Sequence, residues 1–130
     1  MDFEKFNFCI MGDKIFQIGK NDICYNISEI KSSSFDYVLK TEKTSSVYVV
    51  GLILTLKIAN SEILIYELKP TRIKGAKGLI AFIQILTNVS SFLVEIIKVG
   101  KIYNNHSFTL SIEKAAEAFT TLNEILEEFS

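Results

Sequence analysis

The clearest rhythm of apolar and polar positions lies near the C-terminal end. Ile112, Ala115, Ala116, Phe119, Leu122, Ile125, Leu126 and Phe129 recur at spacings of three and four. That is the stripe of an amphipathic helix, and it predicts one from Ile112 to about Phe129, capped by Ser111. Upstream, Lys77, Ala81, Gln84, Asn88, Ser91, Glu95 and Lys98 make a polar stripe at the same spacing. It is consistent with one long helix following the break at Lys69-Pro70-Thr71, with Thr71 as its cap. The competing reading stops that helix near Thr87-Asn88 and resumes as a strand, Phe92 to Lys98. Asn88 and the Ser90-Ser91 pair favour the interruption.

The first half is patterned differently. Phe6 to Met11 is apolar and ends at Gly12-Asp13, a turn signal. Lys14 to Ile18 and Asp22 to Ile27 flank Gly19-Lys20-Asn21, which suits a hairpin or a short element followed by a strand. Ser32-Ser33-Ser34 predicts the cap of a helix starting at Phe35. Between residues 46 and 68, the β-branched Val47, Val49, Val50, Ile53 and Thr55 read as strand. Ala59-Asn60-Ser61-Glu62 would then turn into a second strand, Ile63 to Leu68. As helix the same segment would be apolar nearly all round, and periodicity does not separate the two. Gly100 to His106 reads as loop, and Phe108 to Leu110 as a brief pairing segment.

Composition bounds the rest. The 130 residues suit one domain, 1–130, and 48% apolar content is enough for a core. Net charge is −1, so any nucleic-acid contact must come from a local patch rather than overall charge. Cys9 and Cys24 make neither a disulfide framework nor a metal set, and are expected to be reduced and buried. The N-terminal residues lack a signal-peptide pattern, which predicts a cytoplasmic protein. The apolar runs Val47–Ile58 and Gly78–Ile97 are expected to be buried elements and not membrane spans.

Residues with catalytic potential are few. His106 is the only histidine, in a polar stretch with no acid or nucleophile pattern around it. Phosphate-loop, dinucleotide and zinc spacings are missing, so the sequence predicts no catalytic residue, cofactor or metal. One charge feature stands out. No acid occurs between Glu67 and Glu95, while Lys69, Arg72, Lys74 and Lys77 cluster at the start of that interval. A turn running into a helix start would aim these groups and free amides at a phosphate or carboxylate.

Residues 22–97 also carry a pattern across three segments. Asp22-Ile23-Cys24-Tyr25-Asn26-Ile27-Ser28-Glu29-Ile30-Lys31-Ser32-Ser33-Ser34-Phe35 has Asn26, Ile30 and Ser32 at telling offsets. Ser61-Glu62-Ile63-Leu64-Ile65-Tyr66-Glu67-Leu68-Lys69-Pro70-Thr71-Arg72-Ile73-Lys74-Gly75-Ala76 is the second segment, and Phe92-Leu93-Val94-Glu95-Ile96-Ile97 the third. Together they resemble the small kinase-binding (PRPK-binding) subunit of KEOPS, the complex that makes threonylcarbamoyladenosine on tRNA. Phe35 stands where many members have His, and the second segment contains a one-residue shift.

The resemblance implies an α/β (α+β) domain, a small mixed sheet packed with helices, in which Asn60–Leu68 is helical. It implies a non-catalytic subunit that docks on the kinase subunit and helps hold the tRNA acceptor end. Lys69, Arg72, Lys74 and Lys77 would then meet tRNA phosphates, and Leu64, Ile65 and Leu68 would face the kinase. The alternative reading keeps residues 46–68 as a hairpin. It gives a mostly β, pleckstrin-homology-like barrel closed by the C-terminal helix, which binds a peptide or acidic head group through the same basic cluster. The high apolar content also suggests a covered patch, hence a partner or a homodimer.

Overall fold

The computed structural model describes residues 2–3, 8–42, 47–58, 61–102 and 106–128. Among these residues seven strands precede two long helices: β1 (Asp2–Phe3), β2 (Phe8–Met11), β3 (Lys14–Gln17), β4 (Lys20–Asn26), β5 (Ile30–Thr41), β6 (Val47–Ile58), β7 (Ser61–Lys74), α1 (Gly75–Ile102) and α2 (His106–Glu128). They form two antiparallel sheets, one of β1-β2-β3-β4 and one of β5-β6-β7. The fold class is therefore α+β, with a long amphipathic helix after the sheets, and both sheets are purely antiparallel where a mixed sheet was expected.

The first sheet follows its turns. Gly12, at φ 61°, closes the β2–β3 hairpin, and Gly19, at φ 84°, closes β3–β4. Phe8, Ile10 and Ile15 point from it into the core. A short 3-10 turn, Ile27–Glu29, then leads to the second sheet, with the Ile27 amide donating to the Asp13 carbonyl.

Residues 47–74 form a hairpin. The helix that the family resemblance implies for Asn60–Leu68 is not formed; from Ser61 onward the segment is strand, and Asn60 lies outside the described residues. Even-numbered residues of β6 supply the reason. Val50, Leu52, Leu54 and Leu56 are at most 1% exposed and face the helices, while the odd-numbered residues Val49, Ile53 and Lys57 face away. Alternation of this kind satisfies a sheet with one covered face and not a helix. Two bulges in β7 keep the register: Ile65 is extra between the Tyr66–Leu54 and Leu64–Thr55 pairs, and Lys69 with Pro70 opposes Gly51.

Ser32-Ser33-Ser34 caps no helix, because it lies inside β5. The hydroxyls are used across elements instead: Ser33 meets Ser111 of α2, and Ser34 bonds Thr55 of β6. Thr71 is likewise a strand residue, and its hydroxyl donates to the Lys69 carbonyl at 2.7 Å.

After Gly75, at φ 67°, α1 runs unbroken through Asn88 and Ser90-Ser91, so no strand forms at 92–98. The polar stripe holds: Lys77, Ala81, Gln84, Ser91 and Lys98 are exposed. The opposite stripe, including Leu79, Phe82, Leu86, Val89, Leu93 and Ile96, is buried. By length and composition α1 is also apolar enough to cross a bilayer; about a third of its most apolar window (33%) is buried in the fold, while Ile80, Val94 and Ile102 are exposed. The terminal helix begins at His106, ahead of the expected start, and takes in Phe108–Leu110. Phe129, the last residue of its predicted stripe, lies outside the described residues, as do Phe6 and Ala59.

The two helices form an antiparallel hairpin, and α2 lies on β5. They approach closely at Gly100: a Cβ there would sit 2.9 Å from Phe108 Cδ1. One apolar cluster joins Phe8, Ile10 and Ile15 of the first sheet, the inner face of the second, and both helices.

Candidate functional site

The basic cluster spans the end of β7 and the first turn of α1. Arg72 faces outward from β7 opposite Val49, and its guanidinium donates to Glu42 Oε1 at 2.9 Å. Both side chains are largely exposed, so the pair contributes little to stability. Lys74 is the last residue of the strand. Gly75 turns the chain, and Lys77 follows on the exposed face of the helix. The first turn of α1 contains no acid. Arg72, Lys74 and Lys77 therefore flank one corner, beside amides that lack helical partners. Lys69 is set apart from them on the bulge opposite Gly51. Pairing also brings in a residue the sequence did not single out: Lys40 lies opposite Val49, in the same cross-strand row as Arg72. Only the register of three strands reveals it.

The three residues expected to face a kinase do not share a surface. Leu64 is 48% exposed on the outer side of β7, Ile65 is 2% exposed in the core, and Leu68 packs against that core half-buried. The bulge at Ile65 separates them. Tyr66 sits beside them on the inner side, where burial pushes its phenol above the ordinary value.

Neither thiol is buried as expected: Cys9 is half-buried and Cys24 exposed, both free. They flank Phe16 on one face of the first sheet, each paired with it. A strand between them separates their Cα atoms by about 10 Å, beyond disulfide reach. His106 is exposed at the start of α2. Among the described residues no three of His, Cys, Asp and Glu cluster as metal ligands.

Concavities among the described residues lie elsewhere. A groove of about 340 Å³ along the α1–α2 seam is lined by Thr87, Ser90, Ser91, Phe119 and Asn123, whose buried Oδ1 has no hydrogen-bond partner. A notch of about 120 Å³ on the outer face of the second sheet lies over Gly51, walled by Val38, Ile53 and Pro70. Comparison with family models, curated proteins and solved structures finds no match for the chain.

Proposed function

We propose that this chain is a non-catalytic binding domain that takes an acidic head group at the corner between β7 and α1. The observation that carries the reading is the base-rich corner itself, where Lys74 and Lys77 flank a first turn of α1 that holds no acid, with Arg72 beside them in its pair with Glu42. The architecture supports it: antiparallel strands in two sheets followed by a terminal helix on β5 resemble a pleckstrin-homology-like module. The added α1, inserted between sheet and terminal helix, departs from that pattern. Lysine ammonium groups and free helix amides both favour a phosphate, the first by charge and the second by geometry. A cytoplasmic domain acting at an anionic membrane surface is the role this reading gives the protein.

Sedimentation with vesicles tests it. Vesicles containing an anionic phospholipid should pull down the protein and neutral phosphatidylcholine vesicles should not. Lys74→Glu with Lys77→Glu should reduce binding at least about thirtyfold, from about 1 kcal/mol per lysine lost near the surface. Retention of full binding by that variant would sink the proposal. The KEOPS-like reading places the same residues on tRNA phosphates and predicts a different outcome. Binding to a tRNA acceptor stem and co-elution with a KEOPS kinase subunit, with no vesicle binding, would favour it instead.

A further inference from the structure

The outer face of the second sheet carries charge in ordered rows. Residues directly opposite each other across strands share a face. One row is Asp36–Ile53–Glu67, an apolar residue between two acids. Another is Lys40–Val49–Arg72, an apolar residue between two bases. Midway between them lies Val38–Gly51, completed by Lys69 and Pro70 of the β7 bulge. The rows stand about 7 Å on either side of this middle row, two residues along each strand. Val38 is 43% and Ile53 41% exposed, and among the described residues no helix covers them on this side.

Gly51 keeps the middle of the face low. A Cβ there would sit 3.3 Å from the Leu68 carbonyl oxygen and from Pro70, so the notch depends on the missing side chain. Among the described residues the helices lie on the inner face only, and this outer face bears acids at one end, bases at the other, and Val38, Gly51, Lys69 and Pro70 between them.

We propose that this face is a dimer interface, and that its occupant is a second copy of the chain. The arrangement of charge argues for it. Consider a two-fold axis running across the strands along the Val38–Gly51 row, between two sheets packed face to face. Rotation about it lays the acidic row of each copy over the basic row of the other. Asp36 then meets Lys40 of the other copy, Glu67 meets Arg72, which already pairs with Glu42 of its own chain, Ile53 meets Val49, and Lys69 of the middle row nears its own symmetry mate. Both contacts form twice, as an isologous interface requires. Any axis that superposed like rows would bring acids onto acids. The strip is about 14 Å along the strands between the charged rows and about 14 Å across the three strands, which puts the interface below the size of stable specific contacts and makes the association weak. The dimer is therefore concentration-dependent, and its ionic rows make it sensitive to salt. This inference does not rest on the head-group proposal; the two share Arg72, and the Asp36/Glu67 variant below leaves the head-group corner unchanged.

Analytical ultracentrifugation of the full chain from about 1 µM to 1 mM tests it. The expected result is a rise from monomer toward dimer mass, weakened by about 1 M salt. Asp36→Lys with Glu67→Lys should be monomeric, because both contacts become base on base. Lys40→Glu with Arg72→Glu should be monomeric for the opposite reason. An equimolar mixture of the two variants should recover a heterodimer. Wild-type protein that stays monomeric throughout overturns the proposal, as do variants that still dimerise alone or a mixture that stays monomeric. Circular dichroism checks that both variants fold. Should either fail, Val38→Cys in a chain with Cys9→Ser and Cys24→Ser provides an independent reading. On oxidation it should form a disulfide-linked dimer through the axis, and its remaining monomeric under these conditions overturns the proposal equally.

Discussion

At the scale of single residues, the closest approaches determine where substitution is costly. Gly100 allows α1 to pass Phe108, and an added methyl would fall inside contact distance of a ring that is fully buried. Gly100→Ala should destabilise the fold by about 1–3 kcal/mol, the range for overpacking, and thermal unfolding followed at 222 nm measures it. Tyr66 gives a pH signature. Its phenol is raised by burial, so the native state holds the proton more tightly than the unfolded chain. The contribution is intact below the ordinary phenol value and is lost as pH rises through the native one. Stability should therefore fall on the alkaline side, above about pH 10. Tyr66→Phe should flatten that limb in urea titrations at a series of pH values, whereas an unchanged slope would assign the effect to other groups.

Elements show which parts of the chain were legible before folding. The terminal helix and the β2–β3 turn follow from periodicity and glycine position, whereas the hairpin over 46–68 is one of two open readings, and its second strand runs through the expected break at Lys69-Pro70-Thr71 to Lys74. The signals of that helix and that turn are local, and the core uses each as the pattern says. The long α1 was legible in its polar stripe, but Asn88 and Ser90-Ser91 argue locally for a break. Packing of Phe92 and Leu93, both fully buried, outweighs those preferences. The serine run misled for the same physical reason. A hydroxyl that suits a helix cap also suits a cross-element bond, and the sequence does not contain the partner. Ser33 finds Ser111, 78 residues away, where Ser111 was read as a helix cap. Ser111→Ala should leave Ser33 without this partner and cost about 1 kcal/mol, with the loss confined to global stability and not to vesicle binding. Of the candidate site, the basic cluster was readable as composition. Lys40 was not, because only strand register places it in line with Arg72. The grouping of Leu64, Ile65 and Leu68 assumed a helix, and a bulged strand divides them between core and solvent.

Over the whole molecule, the two sheets and the helical hairpin share a single apolar cluster, although hydrogen bonding keeps the sheets apart among the described strands. Such a core predicts one cooperative transition. Far-ultraviolet dichroism and tyrosine absorbance should give coincident urea unfolding curves, and separated midpoints would mean that the first sheet melts alone. Charge is also organised at this scale. Bases gather where β7 enters α1, while Glu113, Glu117 and Glu124 line the outer side of α2. A chain of net charge −1 thus carries oppositely charged regions that a sum over residues conceals. The bond between Ser33 and Ser111 bears on how the chain is made. Sheet residues Leu52, Leu54 and Leu56 are synthesised well before the helix that lies over their neighbour β5. On the ribosome that greasy surface must wait, bare, for some fifty residues or more of further synthesis, at roughly 5–20 residues per second. The nascent chain is thus a natural client for chaperones in the seconds before α2 emerges, and slower translation over α1 would lengthen that exposure.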